Sequence, residues 1–362
     1  MTDYKYKKFV HSIDKNNNMC LVRYILAFGV LIDHFNYLCN AKIPWFVSSY
    51  DSVCGFFVIS GFLLIFPVIK GKPIREFFIN RAWRLLPSYL FVVLAGALLL
   101  VTISTLPPTQ YFTSSSFWQY ILANITTLNF LHPDLPGVFS DLKISAVNGS
   151  LWTIKIEWQL AVLLPIIFYF IKKYNLNFRK TIILIIILSL LYRIYLLYLY
   201  SITDKEIYSI LGRQIIGQLV FFYLGVIFFT YYKKILQNLY KIILISTSIF
   251  IFFKLNYSTF YQQLIYPFIL AILVISFSLI PKDFAKYIDR GHNISYEIYL
   301  CHFPILQVLA YYNAVERIGV AASLAIGVLL TIIAAIIVYF TVGNLYLKRK
   351  KKSTIPTVSV EQ

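Results

Sequence analysis

Long apolar stretches separated by short polar segments run through most of the chain. A membrane-spanning helix needs about 20 mostly apolar residues, and ten stretches approach that length. They cover residues 19–38, 51–69, 85–104, 151–171, 181–200, 213–231, 241–254, 263–280, 294–313 and 319–341. The alternating pattern of barrel strands does not occur in the sequence. The pattern therefore predicts an all-α, polytopic integral membrane protein with about ten transmembrane helices.

The same pattern divides the chain into three parts. They are an N-terminal polar segment at 1–18, a membrane domain at 19–341 and a basic tail at 342–362. The first span contains Asp33 and His34, which argues against a cleaved signal peptide. The longest connection, 105–150, includes an apolar stretch at 117–131 that is too short to span a membrane. We expect this stretch to lie at the membrane interface or to pack re-entrantly.

Composition and charge agree with a membrane protein. Hydrophobic residues make up 59% and charged residues 13%, whereas a soluble domain carries about 25% charged residues. Lys and Arg number 33 against 15 Asp and Glu, a net charge of +18, and 24 of these bases lie in alternate connections against six in the others. Because Lys and Arg are retained on the cytoplasmic side, we predict a multi-pass protein with both termini cytoplasmic. Retention of bases on the cytoplasmic side and their contact with anionic lipid thus account for most of the positive net charge. We therefore expect no nucleic-acid partner.

A few ionisable residues fall inside the predicted spans, where a charge is unfavourable and usually functional. They are Arg23, Asp33, His34, Lys155, Glu157, Arg193, Glu297 and His302. With the helical rise of about 1.5 Å per residue, His34, Glu157 and Arg193 lie roughly 6, 9 and 10 Å from the outer ends of their spans. This shared depth predicts a polar cavity beneath the outer surface.

Each of these residues also has a purely structural interpretation. Arg23 is near the inner surface, where it would anchor the first helix, and Arg193 would extend to the outer headgroups. His34 and His302 would be core histidines with satisfied hydrogen bonds. Glu157 needs a partner other than Lys155, because helical residues two apart point to different faces.

The four cysteines, Cys20, Cys39, Cys54 and Cys301, lack the spacing of metal ligands. We therefore predict no metal site. Cys39 and Cys54 flank the first outer loop, so a disulfide there is the alternative to free buried thiols.

Four motifs that include the candidate residues follow one another in order along the chain. They are RYILAFGVLIDH at 23–34, GFFVISGFLL at 55–64 with FINRAWRLLP at 78–87, SLWTIKIEW at 150–158, and ISYEIYLCHFP at 294–304. Their order and spacing resemble acyltransferase family 3, the polytopic membrane O-acyltransferases of bacterial surface glycans. The sequence departs from the pattern at Lys155, where the family usually has a small or apolar residue.

The resemblance implies an enzyme, an acyltransferase of the bacterial cytoplasmic (inner) membrane. Such an enzyme takes an acyl group, most often acetyl, from cytoplasmic acyl-CoA. It transfers this group to a hydroxyl of an extracytoplasmic or lipid-linked glycan. The implied partners are thus acyl-CoA as co-substrate, the glycan acceptor and membrane lipid, with no bound cofactor.

The resemblance and the depth argument together nominate His34 and Glu157 as catalytic residues. A sugar hydroxyl is a poor nucleophile until a positioned base takes its proton, and a histidine neutral near pH 7 suits that role. Glu157 would orient His34, because the sequence neighbour Asp33 diverges from it around the helix. A transient acyl-histidine is the alternative for His34.

Seven residues are predicted to bind substrate: Arg23, Ser60, Arg81, Arg84, Trp152, Arg193 and His302. Arg23 and His34 lie eleven residues apart, roughly 16 Å along one helix, which an extended pantetheine arm is expected to match. Arg81 and Arg84 would hold phosphates as forked, permanently charged donors, or would simply anchor the inner surface.

Two other classes of membrane protein fit the composition equally well. One is a transporter or flippase of lipid-linked glycans, and the other is a glycan polymerase. The chain lacks the paired interrupted spans of many transporters, which argues against the first.

Overall fold

The computed structural model describes residues 17–255, 259–347 and 349. The N-terminal segment at 1–18 and the basic tail at 342–362 lie largely outside these residues. Within them the chain forms helices and no strand, which confirms the all-α prediction.

Fifteen α-helices within the described residues position the rest of the structure. We number them α1 (Met19–Leu38), α2 (Ser49–Ile69), α3 (Ile74–Leu99), α4 (Pro108–Thr113), α5 (Ser115–Ile125), α6 (Trp152–Lys173), α7 (Phe178–Thr203), α8 (Glu206–Gly212), α9 (Ile215–Gln237), α10 (Leu239–Leu255), α11 (Thr259–Ser278), α12 (Lys286–Asp289), α13 (Ser295–Tyr311), α14 (Ala314–Ile318) and α15 (Val320–Val338). A 3₁₀ turn at Leu100–Ile103 prolongs α3, and a π-helix at Tyr339–Gly343 prolongs α15. Each of the ten apolar stretches coincides with a helix.

Seven helices of the described chain are long and apolar enough to cross a membrane. They are Met19–Leu38, Ser49–Ile69, Ile74–Ile103, Trp152–Lys173, Phe178–Thr203, Glu206–Gln237 and Val320–Leu347. The helices α10 and α13 have 17 residues each, which at about 1.5 Å per residue is shorter than the hydrocarbon core of roughly 30 Å. The chain is thus a polytopic membrane protein, and the count of ten spans stays a prediction.

The helices group into two compact units. Unit 1 draws on the segments Met1–Asp33, Pro44–Lys72 and Thr153–Ser295. Unit 2 draws on His34–Ile43, Pro73–Trp152 and Tyr296–Gln362.

Unit 1 has α2 and α9 in close contact through glycines on both helices. A Cβ at Gly61 would lie 1.9 Å from the backbone oxygen of Phe222, and a Cβ at Gly225 would lie 2.0 Å from that of Val58. Small residues let helix backbones approach within a membrane. Gly61 and Gly225 therefore allow the backbones of α2 and α9 to approach each other.

The start of α2 is fixed by carboxylates. Ser48 and Asp51 form a reciprocal capping box, and Asp33 accepts a hydrogen bond of 2.8 Å from the first amide of the helix at Ser49. These contacts satisfy amides that the helix itself leaves without acceptors. Asp33 thereby has a structural role in unit 1.

Unit 2 folds the long connection 105–150 against the membrane helices. Tyr111 donates to the carbonyl of Ala97 on α3, and Tyr89 on α3 donates to the carbonyl of Asn124 at the end of α5. The exposed side of α5 carries large apolar residues, among them Trp118, Leu122 and Ile125. Its placement at the membrane interface stays a prediction.

The four cysteines are free thiols. Cys54 donates to the side-chain oxygen of Gln218 and Cys39 to the carbonyl of Leu306. The interpretation as free thiols is confirmed over the disulfide.

Candidate active site

Arg23 and His34 lie on one unbroken helix, α1. Arg23 is half-buried near its start and His34 is half-buried near its end. Their eleven-residue separation corresponds to roughly 16 Å along the axis. The prediction that one helix carries both residues is confirmed.

The imidazole of His34 meets the imidazole of His302 on α13 within unit 2. His34 Nδ1 lies 2.8 Å from His302 Nε2, and the ring centroids are 5.1 Å apart with planes at 9°. The centroid separation exceeds the N···N distance by about one ring radius on each side, so the rings meet edge to edge in nearly one plane. A lone pair then points at an N–H, and the contact is a hydrogen bond.

The surroundings of His302 decide which nitrogen of each ring carries a proton. His302 Nδ1 lies 2.7 Å from the carbonyl oxygen of Tyr299, and since a carbonyl only accepts, Nδ1 donates. His302 is completely buried, where an unpaired charge is unfavourable, so the neutral ring has its lone pair on Nε2. His34 Nδ1 then donates to it. Hydrogen-bond geometry thus assigns the lone pair of His34 to Nε2.

The segment before α6 holds the part of α13 that carries His302. Asn148 Nδ2 donates to the carbonyl of Leu300 at 2.9 Å, and the Tyr299 hydroxyl donates to the carbonyl of Ser150 at 2.9 Å. About two turns after Leu300, Gln307 Nε2 donates to the carbonyls of Ile144 and Ala146, each at 2.8 Å. These bonds tie an irregular segment to a helix, and we infer that they fix the position of the His302 ring.

An aromatic ring covers the edge of the histidine pair. Phe303 stands edge-on to His34, with centroids 5.2 Å apart and planes at 81°. A Cβ at Gly149 would lie 2.7 Å from the tip of the Phe303 ring. Glycine at 149 therefore gives this ring its space beside His34.

Glu157 on α6 accepts a hydrogen bond from Ser60 on α2, within unit 1, at 3.1 Å between Oγ and Oε1. Ser60 is buried and Glu157 half-buried. Lys155 turns to another partner, donating to Gln214 Oε1 at 3.1 Å. The expectation that Lys155 and Glu157 point to different faces agrees with these contacts.

Arg193 on α7 is buried in unit 1, with 7% of its surface exposed. Its Nη1 donates to the carbonyl of Gly217 at 3.2 Å, and its guanidinium carbon lies 5.2 Å from the ring centroid of Phe221 and 5.9 Å from that of Tyr50. The alternative in which Arg193 extends to the outer headgroups is therefore wrong, because aromatic rings and a carbonyl hold the side chain inside the unit.

The remaining predicted residues lie on α3 and at the start of α6. Arg81 and Arg84 are half-buried on α3, and residues three apart share one face of a helix. Trp152 is half-buried as the first residue of α6. Among residues 17–255, 259–347 and 349, no three His, Cys, Asp or Glu side chains are placed to hold a metal ion.

The motifs, the polytopic helical fold and the histidine pair are consistent with the family that the sequence resembles. The family model described as an acyltransferase domain matches residues 12–340 of the chain. The chain belongs to acyltransferase family 3. No curated protein and no solved structure matches it.

Two residues of this acyltransferase, the buried Asp51 and the half-buried Tyr50, were missed by the sequence analysis. Asp51 is 2% exposed and binds the Lys254 ammonium and the Tyr266 hydroxyl. Tyr50 packs beside Arg193. The Ser-x-x-Asp pattern at 48–51 predicts a capping box, and no sequence signal connects Asp51 to residues some 200 positions later.

Proposed function

We propose that this acyltransferase transfers an acyl group, with acetyl as the expected case, from cytoplasmic acyl-CoA to a hydroxyl of an extracytoplasmic or lipid-linked glycan. His34 is the general base in this proposal. The single observation that supports it best is the hydrogen bond between His34 Nδ1 and His302 Nε2. That bond orients the ring and leaves the lone pair on His34 Nε2.

The reaction needs one proton to leave the acceptor and one to reach the leaving group. His34 Nε2 takes the proton of the sugar hydroxyl while the hydroxyl oxygen bonds to the thioester carbonyl carbon. The carbon–sulfur bond then breaks, and the imidazolium returns the proton to the CoA thiolate. His302 acts as a positioning residue. Its Nε2 accepts a hydrogen bond from the Nδ1–H group of His34 throughout the reaction, and this bond fixes the orientation of the His34 ring.

Cations near the cytoplasmic ends of α1 and α3 are proposed to hold the nucleotide part of acyl-CoA. Arg23 lies eleven residues before His34, a separation of roughly 16 Å that a pantetheine arm spans. Arg81 and Arg84 share a helix face and add forked donors for phosphate. In this arrangement the thioester reaches His34 while the nucleotide stays at the inner face of the bacterial cytoplasmic membrane.

In this proposal Glu157 and Ser60 form a hydrogen-bonded pair that supports the site and takes no part in the proton transfer at His34. The hydroxyl of Ser60 donates to Glu157, which holds the carboxylate in one orientation. We propose that His302 takes over the orienting role that the sequence had suggested for Glu157.

Membership in the acyltransferase family favours group transfer over transport or polymerisation. The test is transfer of a labelled acyl group from acyl-CoA to the surface glycan of cells or membranes containing the protein. We expect His34→Ala to abolish transfer at a normal protein level. The matched control is His132→Ala, at an exposed histidine in the connection 105–150, which should transfer normally. Unchanged glycan esters with His34→Ala would exclude His34 as the base.

A further inference from the structure

A cavity of 320 Å³ lies in unit 1 where α7, α8 and the residues before α9 meet Tyr50. Its polar lining consists of two arginines, three tyrosines and a serine: Tyr50, Arg193, Tyr200, Tyr208, Ser209 and Arg213. Two leucines and Gly212 complete it. The proposed chemistry at His34 does not use any of these side chains.

The side chain of Arg193 is held rigidly at this cavity. On α7, Ser189 Oγ donates to the carbonyl of Ile216 at 2.6 Å and accepts from the amide of Val220 at 3.1 Å. One turn later Arg193 donates to the carbonyl of Gly217. These bonds join α7 to the first two turns of α9, and the ring of Phe221 packs against the guanidinium. A fixed, permanently charged fork suits recognition of a planar or tetrahedral anion.

The charge of the lining is positive. Among the described residues that line the cavity there are two Arg and no Asp or Glu. The buried acid next to Tyr50 in the sequence, Asp51, forms an ion pair with Lys254. The cavity therefore favours an anionic ligand.

The remaining lining fits a sugar. Tyrosines offer an apolar ring and a hydroxyl that donates or accepts, which matches the apolar C–H face and the hydroxyl-bearing edge of a pyranose. The volume of 320 Å³ lies at the lower end of small-molecule pockets, which run from about 300 Å³. One monosaccharide unit with its charged substituent is the size of ligand that this space accommodates.

We propose that this cavity binds an anionic sugar unit, one carrying a carboxylate or a phosphate, through Arg193 and Arg213. The predicted topology directs the C-terminal end of α7 outward, which puts the cavity on the side where the acceptor glycan is expected. Assigning the bound sugar as part of the acceptor rests on the proposed function. Binding itself does not.

The test is direct binding by the purified full chain in nanodiscs of neutral phosphatidylcholine. The probes are D-glucuronate, D-glucose 1-phosphate and D-glucose, and binding is measured by titration calorimetry. We expect at least one of the two anionic sugars to bind roughly tenfold or more tightly than glucose, because a hydrogen bond to a charged group is worth more than a neutral one. Equal affinity for all three sugars would overturn the proposal.

Variants locate the binding in the cavity. Arg193→Gln should weaken binding of the anionic sugar about tenfold or more. Arg213→Gln, at an exposed position, should weaken it less. Arg317→Gln is the matched control, an exposed arginine on α14 in unit 2, and should leave binding unchanged. If Arg193→Gln fails to fold, Arg213→Gln decides: an affinity equal to wild type would contradict the assignment.

The headgroup of an anionic lipid could also bind to the two arginines of the cavity. A further experiment distinguishes such a lipid from an anionic sugar. The titration is repeated in nanodiscs containing phosphatidylglycerol. Sugar binding that persists in the presence of phosphatidylglycerol supports the proposal. The proposal is overturned if neither anionic sugar binds in neutral nanodiscs and only phosphatidylglycerol stabilises the protein. Failure of sugar binding leaves the acyl transfer of the proposed function untouched. Sugar binding without acyl transfer would instead refute that function.

Discussion

The histidine pair of unit 2 and the arginine cavity of unit 1 bury polar groups in different ways. The pair is a neutral chain in which His34 donates to His302 and His302 donates to the carbonyl of Tyr299. The cavity instead contains a permanent cation, Arg193, held by a carbonyl and aromatic faces. A neutral chain with a lone pair at its end suits proton transfer, whereas a fixed cation suits holding an anion. The difference predicts that one region sets the rate of chemistry and the other the binding of substrate.

The largest expected effect comes from the scaffold of unit 1. Gly61→Ala should abolish or nearly abolish recovery of folded protein, because its Cβ would meet the Phe222 backbone, which cannot turn aside as a side chain does. Size-exclusion profile and melting temperature in detergent measure this. Gly96→Ala is the matched control, since its Cβ would lie 3.6 Å from Val147 in ordinary contact. A folded, wild-type-like Gly61→Ala protein would refute the close packing of α2 and α9.

The next effect concerns the positioning of the base. His302→Leu should lower kcat of acyl transfer about 10²- to 10⁴-fold with little change in KM, because His34 loses the acceptor that orients it. His302→Gln, which supplies an amide oxygen as acceptor, should recover part of the rate. His132→Leu serves as the control. A fall in protein stability with unchanged kcat would make His302 a core residue only.

Arg193→Gln should give the opposite kinetic pattern, provided that the cavity binds the acceptor. We expect KM for an anionic glycan acceptor to rise roughly tenfold while kcat changes little, since the cavity holds the substrate and does not take part in proton transfer. Steady-state transfer with varied acceptor measures both constants. A fall in kcat at saturating acceptor with unchanged KM would erase the contrast between the two regions.

The smallest effect is expected at the departure from the family pattern. Lys155→Met should change the rate of acyl transfer by no more than about threefold, because the ammonium binds Gln214 and the loss of one such bond is modest. Ser60→Ala, which removes a donor from Glu157, is the comparison and should lower the rate more. A larger loss with Lys155→Met than with Ser60→Ala would assign Lys155 a direct part in the site.

Local signals in the sequence predicted the helices and the position of His34 on α1. Apolar stretches of the length of a span determine the helices, and the motif at 23–34 lies within one of them. The partnership of His34 and His302 was not predictable, because it joins residues 268 positions apart. The neighbours of Arg193 were not predictable for a similar reason, since the rings of Tyr50 and Phe221 come from other helices. The role of Gly149 likewise depends on a ring contributed by α13.

The most direct test of the account determines which nitrogen of His34 carries the proton. The chain has five histidines, so ¹⁵N spectra of histidine-labelled protein in nanodiscs can be assigned with single His→Gln variants. We predict that neutral His34 is protonated at Nδ1 with the lone pair on Nε2, and that His302→Leu destroys this preference. A proton on Nε2 of neutral His34 in the wild-type protein would contradict its assignment as a base held by His302.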